Sequence, residues 1–172
     1  MKKINILLII LLSALVAACS SGFSITKSND RTNPDVKILY STPIKMVGDH
    51  LADYYKTYVQ FYCHKTVKED KYYFKIIYEG RKLILLNKME LIIRYDKTMY
   101  EPDRIPIYKK NGVLGMREEL VFAVPREKVE EIIENRECDM NLYGKDLDVK
   151  IHWRQEWIDN LTKFFIEVNK VE

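Results

Sequence analysis

From Tyr55 to Lys65 the chain carries a two-residue alternation that favours extended structure. Tyr55, Thr57, Val59, Phe61 and Cys63 fall on one side of an extended backbone, and Tyr54, Lys56, Tyr58, Gln60, Tyr62 and His64 fall on the other. Successive side chains of a strand point to opposite faces, so the spacing predicts a strand buried on one side. A helix over residues 51–65 would also gather Leu51, Tyr54, Tyr55, Tyr58, Phe61 and Tyr62 on one side. The density of aromatic and β-branched residues favours strand from about Tyr55 onward.

The flanking sequence continues in the same manner. Residues 36–40 form a short β-prone run stopped by Ser41-Thr42-Pro43. Residues 71–78 and 81–86 are β-rich and joined through Glu79-Gly80, which predicts a tight hairpin because glycine accepts positive φ. Residues 90–95 predict another strand, with Asp96-Lys97-Thr98 turning the chain toward Met99. Pro102 and Pro106 exclude a central strand there, while Asn111-Gly112 predicts a β-arm or loop over residues 107–116. Residues 120–124 complete this series.

Helical spacing enters only in the second half. Pro125 suits the first turn of a helix, where a missing N–H costs nothing. Val129, Ile132 and Ile133 then share one side as far as about Glu134. Cys138, Met140 and Leu142 alternate, as do Leu147, Val149, Ile151 and Trp153, and Tyr143-Gly144-Lys145-Asp146 between them predicts a second hairpin. Trp157, Ile158, Leu161, Phe164, Phe165 and Val168 form the stripe of a final helix over residues 155–170. A run of strands followed by helices predicts an α+β fold: a mainly antiparallel β-sheet with two helices packed on it, both in the C-terminal half.

The first residues have a different character. Lys2 and Lys3 precede an apolar run over residues 4–18 interrupted only by Asn5 and Ser13, too short to span a bilayer comfortably and organised like a signal peptide. It ends in Leu15-Val16-Ala17-Ala18-Cys19, which resembles the lipobox of bacterial lipoproteins. That resemblance implies cleavage after Ala18 and a diacylglyceryl thioether on Cys19, which becomes the first residue of the mature protein. It further implies attachment to a membrane of the cell envelope, the outer one in a cell with two membranes, since Ser20 rather than Asp follows the cysteine. The alternatives are an ordinary secretory signal or an uncleaved helix. Residues 19–35 are polar and turn-forming without a hydrophobic period, which predicts a flexible tether with a reach of roughly 20 Å. Residues 36–172 are then expected to form a single globular domain.

Composition narrows the function classes. Of 28 Lys and Arg, two leave with the signal segment, so 26 stand against 25 Asp and Glu in the remaining 154 residues. No block of like charge remains, which argues against nucleic acid as a partner. Cys63 and Cys138 are the pair from which a disulfide could form in an exported protein; the alternative is two separately buried thiols, and cysteine count does not decide between them. Neither a Cys-x-x-Cys nor a His-x-x-x-His spacing supports a metal site around Cys63, His64, Cys138 and His152, and no nucleophile or phosphate-binding motif occurs. No catalytic residue, metal or cofactor is therefore expected. Tyr54, Tyr58 and Tyr62 share the face opposite the expected core. With Tyr72, Tyr78, Tyr95 and Tyr100 nearby they could form an aromatic surface for a glycan, peptide or protein of the envelope, or simply be strand formers covered by neighbours. The leading expectation is a non-enzymatic binding module. The alternatives are an envelope hydrolase with dispersed residues, for which His50, Glu118 and Glu119 are the candidates, and a self-associating structural lipoprotein.

Overall fold

The computed structural model describes residues 22–46, 55–111 and 115–171. In chain order the elements are β1 (Ile25–Asn29), β2 (Lys37–Ser41), β3 (Ile44–Met46), β4 (Tyr55–Lys65), β5 (Asp70–Gly80), β6 (Lys88–Ile93), β7 (Asp96–Tyr100), β8 (Ile107–Asn111), β9 (Gly115–Val124), α1 (Arg126–Asn135), β10 (Asp139–Tyr143), β11 (Asp148–His152) and α2 (Gln155–Asn169). The fold is mostly antiparallel β-sheet with two helices among the described residues, consistent with the α+β class. None of those helices is long and apolar enough to cross a membrane.

The strands divide between two sheets rather than one. The larger has the order β1-β2-β4-β5-β9-β8, with β3 also pairing β4, and the smaller runs β11-β10-β6-β7. The break falls where a hairpin through Glu79-Gly80 was expected. Strand β5 is paired along one edge by β4 and along the other by β9, so residues 81–86 find no free edge on it and join no strand ladder, although the Ile84 carbonyl accepts from the Lys145 amide at 2.8 Å. Their backbone is satisfied instead by a side chain: the Glu118 carboxylate accepts hydrogen bonds from the amides of Ile84, Leu85 (3.0 Å) and Leu86 (2.9 Å). Leu85 sits at φ 54° in the middle of this grip. Gly144 packs so closely over the same segment that a Cβ there would lie 2.5 Å from the Ile84 carbonyl oxygen.

The hairpin of this region joins β4 to β5 instead. Its turn is closed by Thr66, whose amide donates to the Glu69 carbonyl at 3.0 Å and whose hydroxyl accepts from the Glu69 amide at 3.0 Å. Two further boundaries shift. The β6–β7 turn is Arg94-Tyr95, with Arg94 at φ 57°, so Asp96, Lys97 and Thr98 belong to a strand. Residues 25–29, inside the stretch expected to be a tether, are a strand paired along its length with β2. The expected arm is present as β8 and β9, and the β10–β11 hairpin and both helices lie where the spacing placed them.

One hydrophobic core joins both sheets and both helices. Helix α2 touches β4 and α1, and α1 touches β5 and β6. At the centre Phe61 meets Phe74, Phe164 and Trp153 at ring-centroid separations of 5.4, 5.9 and 6.1 Å. Such rings each bury about 150–250 Å², so this cluster is a large part of what holds the sheet to α2.

Cys63 lies on β4 of the larger sheet and Cys138 just before β10 of the smaller, both buried and both free thiols. The disulfide is not formed. Cys63 belongs to the larger sheet and Cys138 stands at the entry to the smaller one, and each thiol is buried on its own. The urea midpoint of the purified protein is therefore expected to be the same with and without reductant, whereas a disulfide closing so long a loop would shift it by the equivalent of about 4 kcal/mol.

Candidate functional site

The outer face of the larger sheet, opposite the core, carries the candidate site. Alternation along β4 turns Tyr58, Gln60, Tyr62 and His64 outward, and pairing with β5 sets Tyr62 beside Tyr73 and Gln60 beside Lys75. Strand β9 then adds Val121 next to Lys75 and Glu119 next to Ile77, and β8 adds Ile107 next to Glu119. Ahead of β8, the amide of Asp103 donates to the Val121 carbonyl at 2.8 Å, which seats Arg104 and Ile105 over the edge of this face. Together these parts enclose a cleft of about 210 Å³ floored by Tyr62, Tyr73 and Val121 and walled by Arg104, Ile105 and Ile107.

Aromatic rings organise its floor. Tyr62 stacks on Tyr40 of β2 at 5.7 Å, and His64 meets Tyr73 at 5.0 Å. The Arg104 guanidinium lies 5.9 Å from the centre of the Tyr73 ring, within the range of attraction between a cation and an aromatic face. Burial, followed by the Arg104 charge, pushes the His64 imidazole below its ordinary value, so it is neutral at pH 7. Burial raises the Tyr62 and Tyr73 phenols, which stay protonated as hydrogen-bond donors.

The polar end of the cleft is an ion cluster. Glu119, only 6 % exposed, meets Lys75 at 2.6 Å, Arg117 at 2.8 Å and Lys109 at 3.5 Å, and Arg117 also reaches Glu79 at 3.1 Å. Burial works to raise the Glu119 carboxyl, but the Lys75 hydrogen bond and the surrounding cations outweigh it and hold the group below its ordinary 4.5. A carboxylate depressed in the fold contributes stability that is present above the unfolded value and disappears as pH falls through the folded one. Acidification below about pH 4.5 is therefore expected to remove this contribution. Glu119→Gln should lower stability near neutrality by about 2 kcal/mol and flatten that part of the pH profile, as urea melts between pH 3 and 7 would show.

The tyrosines read from sequence are distributed unevenly. Tyr58 and Tyr62 are half-buried on the outer face, as expected, and Tyr54 lies outside the described residues. Tyr72, Tyr78 and Tyr100 are buried in the core, and Tyr95 is exposed at the β6–β7 turn of the other sheet, so none of these four joins the cleft. Tyr40, Tyr73, Lys75 and Arg104 belong to the face but were not singled out as a site. The alternation Lys71, Tyr73, Lys75, Ile77, Glu79 along β5 was the available signal, yet only the pairing register places Tyr73 against Tyr62.

The other candidates separate. Glu118 points into the core and is consumed by three amides, and His50 lies outside the described residues. His152 is on the exposed side of β11 with its Nδ1 2.6 Å from Asp139. Among the described residues no group of three or more His, Cys, Asp or Glu side chains is placed to hold a metal. Cys63 and His64 face opposite sides of β4, and burial, with Asp70 adding to it, pushes the Cys63 thiol up to about 12. Compared with known proteins, the chain matches no family model, no curated protein and no solved structure.

Proposed function

We propose that this protein is an envelope lipoprotein, anchored through lipid on Cys19, whose domain binds a partner through the cleft between β4, β5, β8 and β9 without transforming it. The cleft itself carries this reading: an aromatic floor, an exposed guanidinium and two exposed isoleucines gathered on the outer face of a sheet. At about 210 Å³ it is below the range of about 300–1,000 Å³ usual for whole small-molecule ligands, and suits one side chain or one sugar unit of a larger partner. Glu119, already engaged by three cations, serves as an electrostatic floor and is poorly placed to take a proton from a substrate. His64 has an aromatic ring as its close neighbour, and Arg104, 3.8 Å from the Asp103 carboxylate but more than half exposed, can still meet an acidic or carbonyl group.

A photo-crosslinking residue at Ile105, 90 % exposed on the rim, tests this in cells expressing the full chain. A discrete adduct is expected, to be largely lost on Arg104→Glu and absent when the crosslinker stands at Val67, fully exposed at the tip of the β4–β5 hairpin. Equal adducts at both positions would remove the site. Turnover of ester, amide, glycoside or phosphoester substrates that vanishes with His64→Ala would replace binding by catalysis.

A further inference from the structure

The pairing of β1 with β2 changes how a chain attached at Cys19 can sit. Ser24 is already tied down, its amide donating to Thr42 Oγ1 at 3.1 Å and its carbonyl accepting from the Thr42 amide at 2.9 Å, and Phe23 packs against the core. Only Ser20, Ser21 and Gly22 separate Cys19 from Phe23. Even fully extended, the four steps from Cys19 to Phe23 span about 14 Å. A domain of this size has a radius of gyration of about 15 Å. The leash is therefore shorter than the domain is wide, and the surface around Phe23 cannot swing far from whatever holds Cys19.

That surface has the composition of a face that meets lipid. A groove beside Phe23 and Ile25 is bounded by the outer side of α2, where Lys163, Ile166 and Lys170 share one face and Ile166 is 47 % exposed. Lys170 and Lys27 both reach Glu167, at 2.7 and 3.3 Å, and Lys163 stands one turn after Asp159, which Arg136 already engages, so three lysines and that guanidinium face two carboxylates here, with Glu156 two turns away in the neighbouring groove. An apolar centre with a cationic rim matches the boundary between anionic headgroups and acyl chains.

We infer that the face formed by Phe23, Ile25 and the Lys163–Ile166–Lys170 side of α2 rests on the anionic headgroups of the membrane that holds Cys19. The inference rests on the reading of Cys19 as the lipid anchor. It also orients the cleft: β1 and β8 are opposite edges of the larger sheet, five strand spacings or about 24 Å apart, so the β8 wall is carried away from the lipid, open to a partner.

Full-length acylated protein bearing one fluorophore, at Ile166→Cys or at Tyr108→Cys on β8, provides the test. Both positions are about equally exposed, and the buried Cys63 and Cys138 do not compete for label. The protein is reconstituted into phosphatidylcholine vesicles, with or without phosphatidylglycerol, that contain a lipid with a nitroxide on its headgroup. Loss of most of the fluorescence at 166 and little at 108, deeper when phosphatidylglycerol is present, is the expected result. Equal quenching at the two positions, or quenching at 166 indifferent to anionic lipid, overturns the docking face even when Cys19 carries lipid. A Cys19→Ser protein that still takes up lipid label overturns the anchor, and the inference with it; the two failures are read from different signals.

Discussion

Glu118→Ala is expected to lower the free energy of unfolding by about 4 kcal/mol, roughly a third or more of what a domain of this size possesses. Glu118 is 0 % exposed, and its carboxylate accepts from three consecutive amides of the segment that carries the chain from one sheet to the other. Hydrogen bonds to a charged group contribute about 1.5–3 kcal/mol each before any compensation, and truncation leaves buried donors with nothing to meet. Leu85, held at positive φ, adds a conformation that costs roughly 1–2 kcal/mol and persists only while the surroundings impose it. Glu118→Gln should fall between wild type and Ala, because its amide keeps one acceptor oxygen but turns an NH₂ toward an N–H. Urea melts followed by tryptophan fluorescence measure both; a midpoint unmoved by Glu118→Ala would show that the carboxylate does not hold this segment. Its neighbour makes the contrast sharp. Glu119, one position on, points to the other side of β9 and organises the cleft, so adjacent glutamates serve the fold and the site separately.

Phe164→Ala is expected to cost about 3–5 kcal/mol, and Phe165→Ala clearly less. The stripe on α2 includes both residues, but their surroundings differ. Phe164 is 1 % exposed and enters the cluster with Phe61, whereas Phe165 lies half-buried at the margin, stacked on Tyr72 at 5.7 Å with the Arg126 guanidinium 5.0 Å from its ring centre. Truncating Phe164 opens a cavity that the surrounding rings cannot fill, while water can reach part of the space left by Phe165. Parallel urea melts of the two variants should therefore rank Phe164→Ala well below Phe165→Ala in midpoint. Equal midpoints would mean that α2 packs through a broader face than the rings indicate.

Much of the local architecture was legible in the sequence. A two-residue period reports which way a side chain points without reference to any neighbour, so β4 and the β10–β11 hairpin emerge with the correct faces inward. A 3.6-residue period does the same for both helices. Two of the failures come from strand pairing. Glu79-Gly80 has the chemistry of a tight turn, yet a hairpin also needs a vacant strand edge, and β9, arriving from 35 or more residues further along the chain, occupies it. Residues 25–29 lack an apolar period because four of their five side chains are exposed; they are a strand through backbone pairing with β2.

The candidate site divides along the same line. The sequence by itself determined that Tyr58 and Tyr62 face away from the core, since that follows from alternation alone. Only the tertiary structure decided that Tyr73, Lys75, Glu119, Ile107 and Arg104 join Tyr62 in one cleft, because β5, β9 and β8 meet there through registers between distant residues. It likewise decided that Cys63 and Cys138 remain apart and that Glu118 turns inward to bind backbone. Periodicity is a property of a few neighbouring residues, whereas a pairing register is a competition among all the edges the chain can reach, settled by which arrangement buries the apolar faces and leaves the fewest backbone groups unpaired.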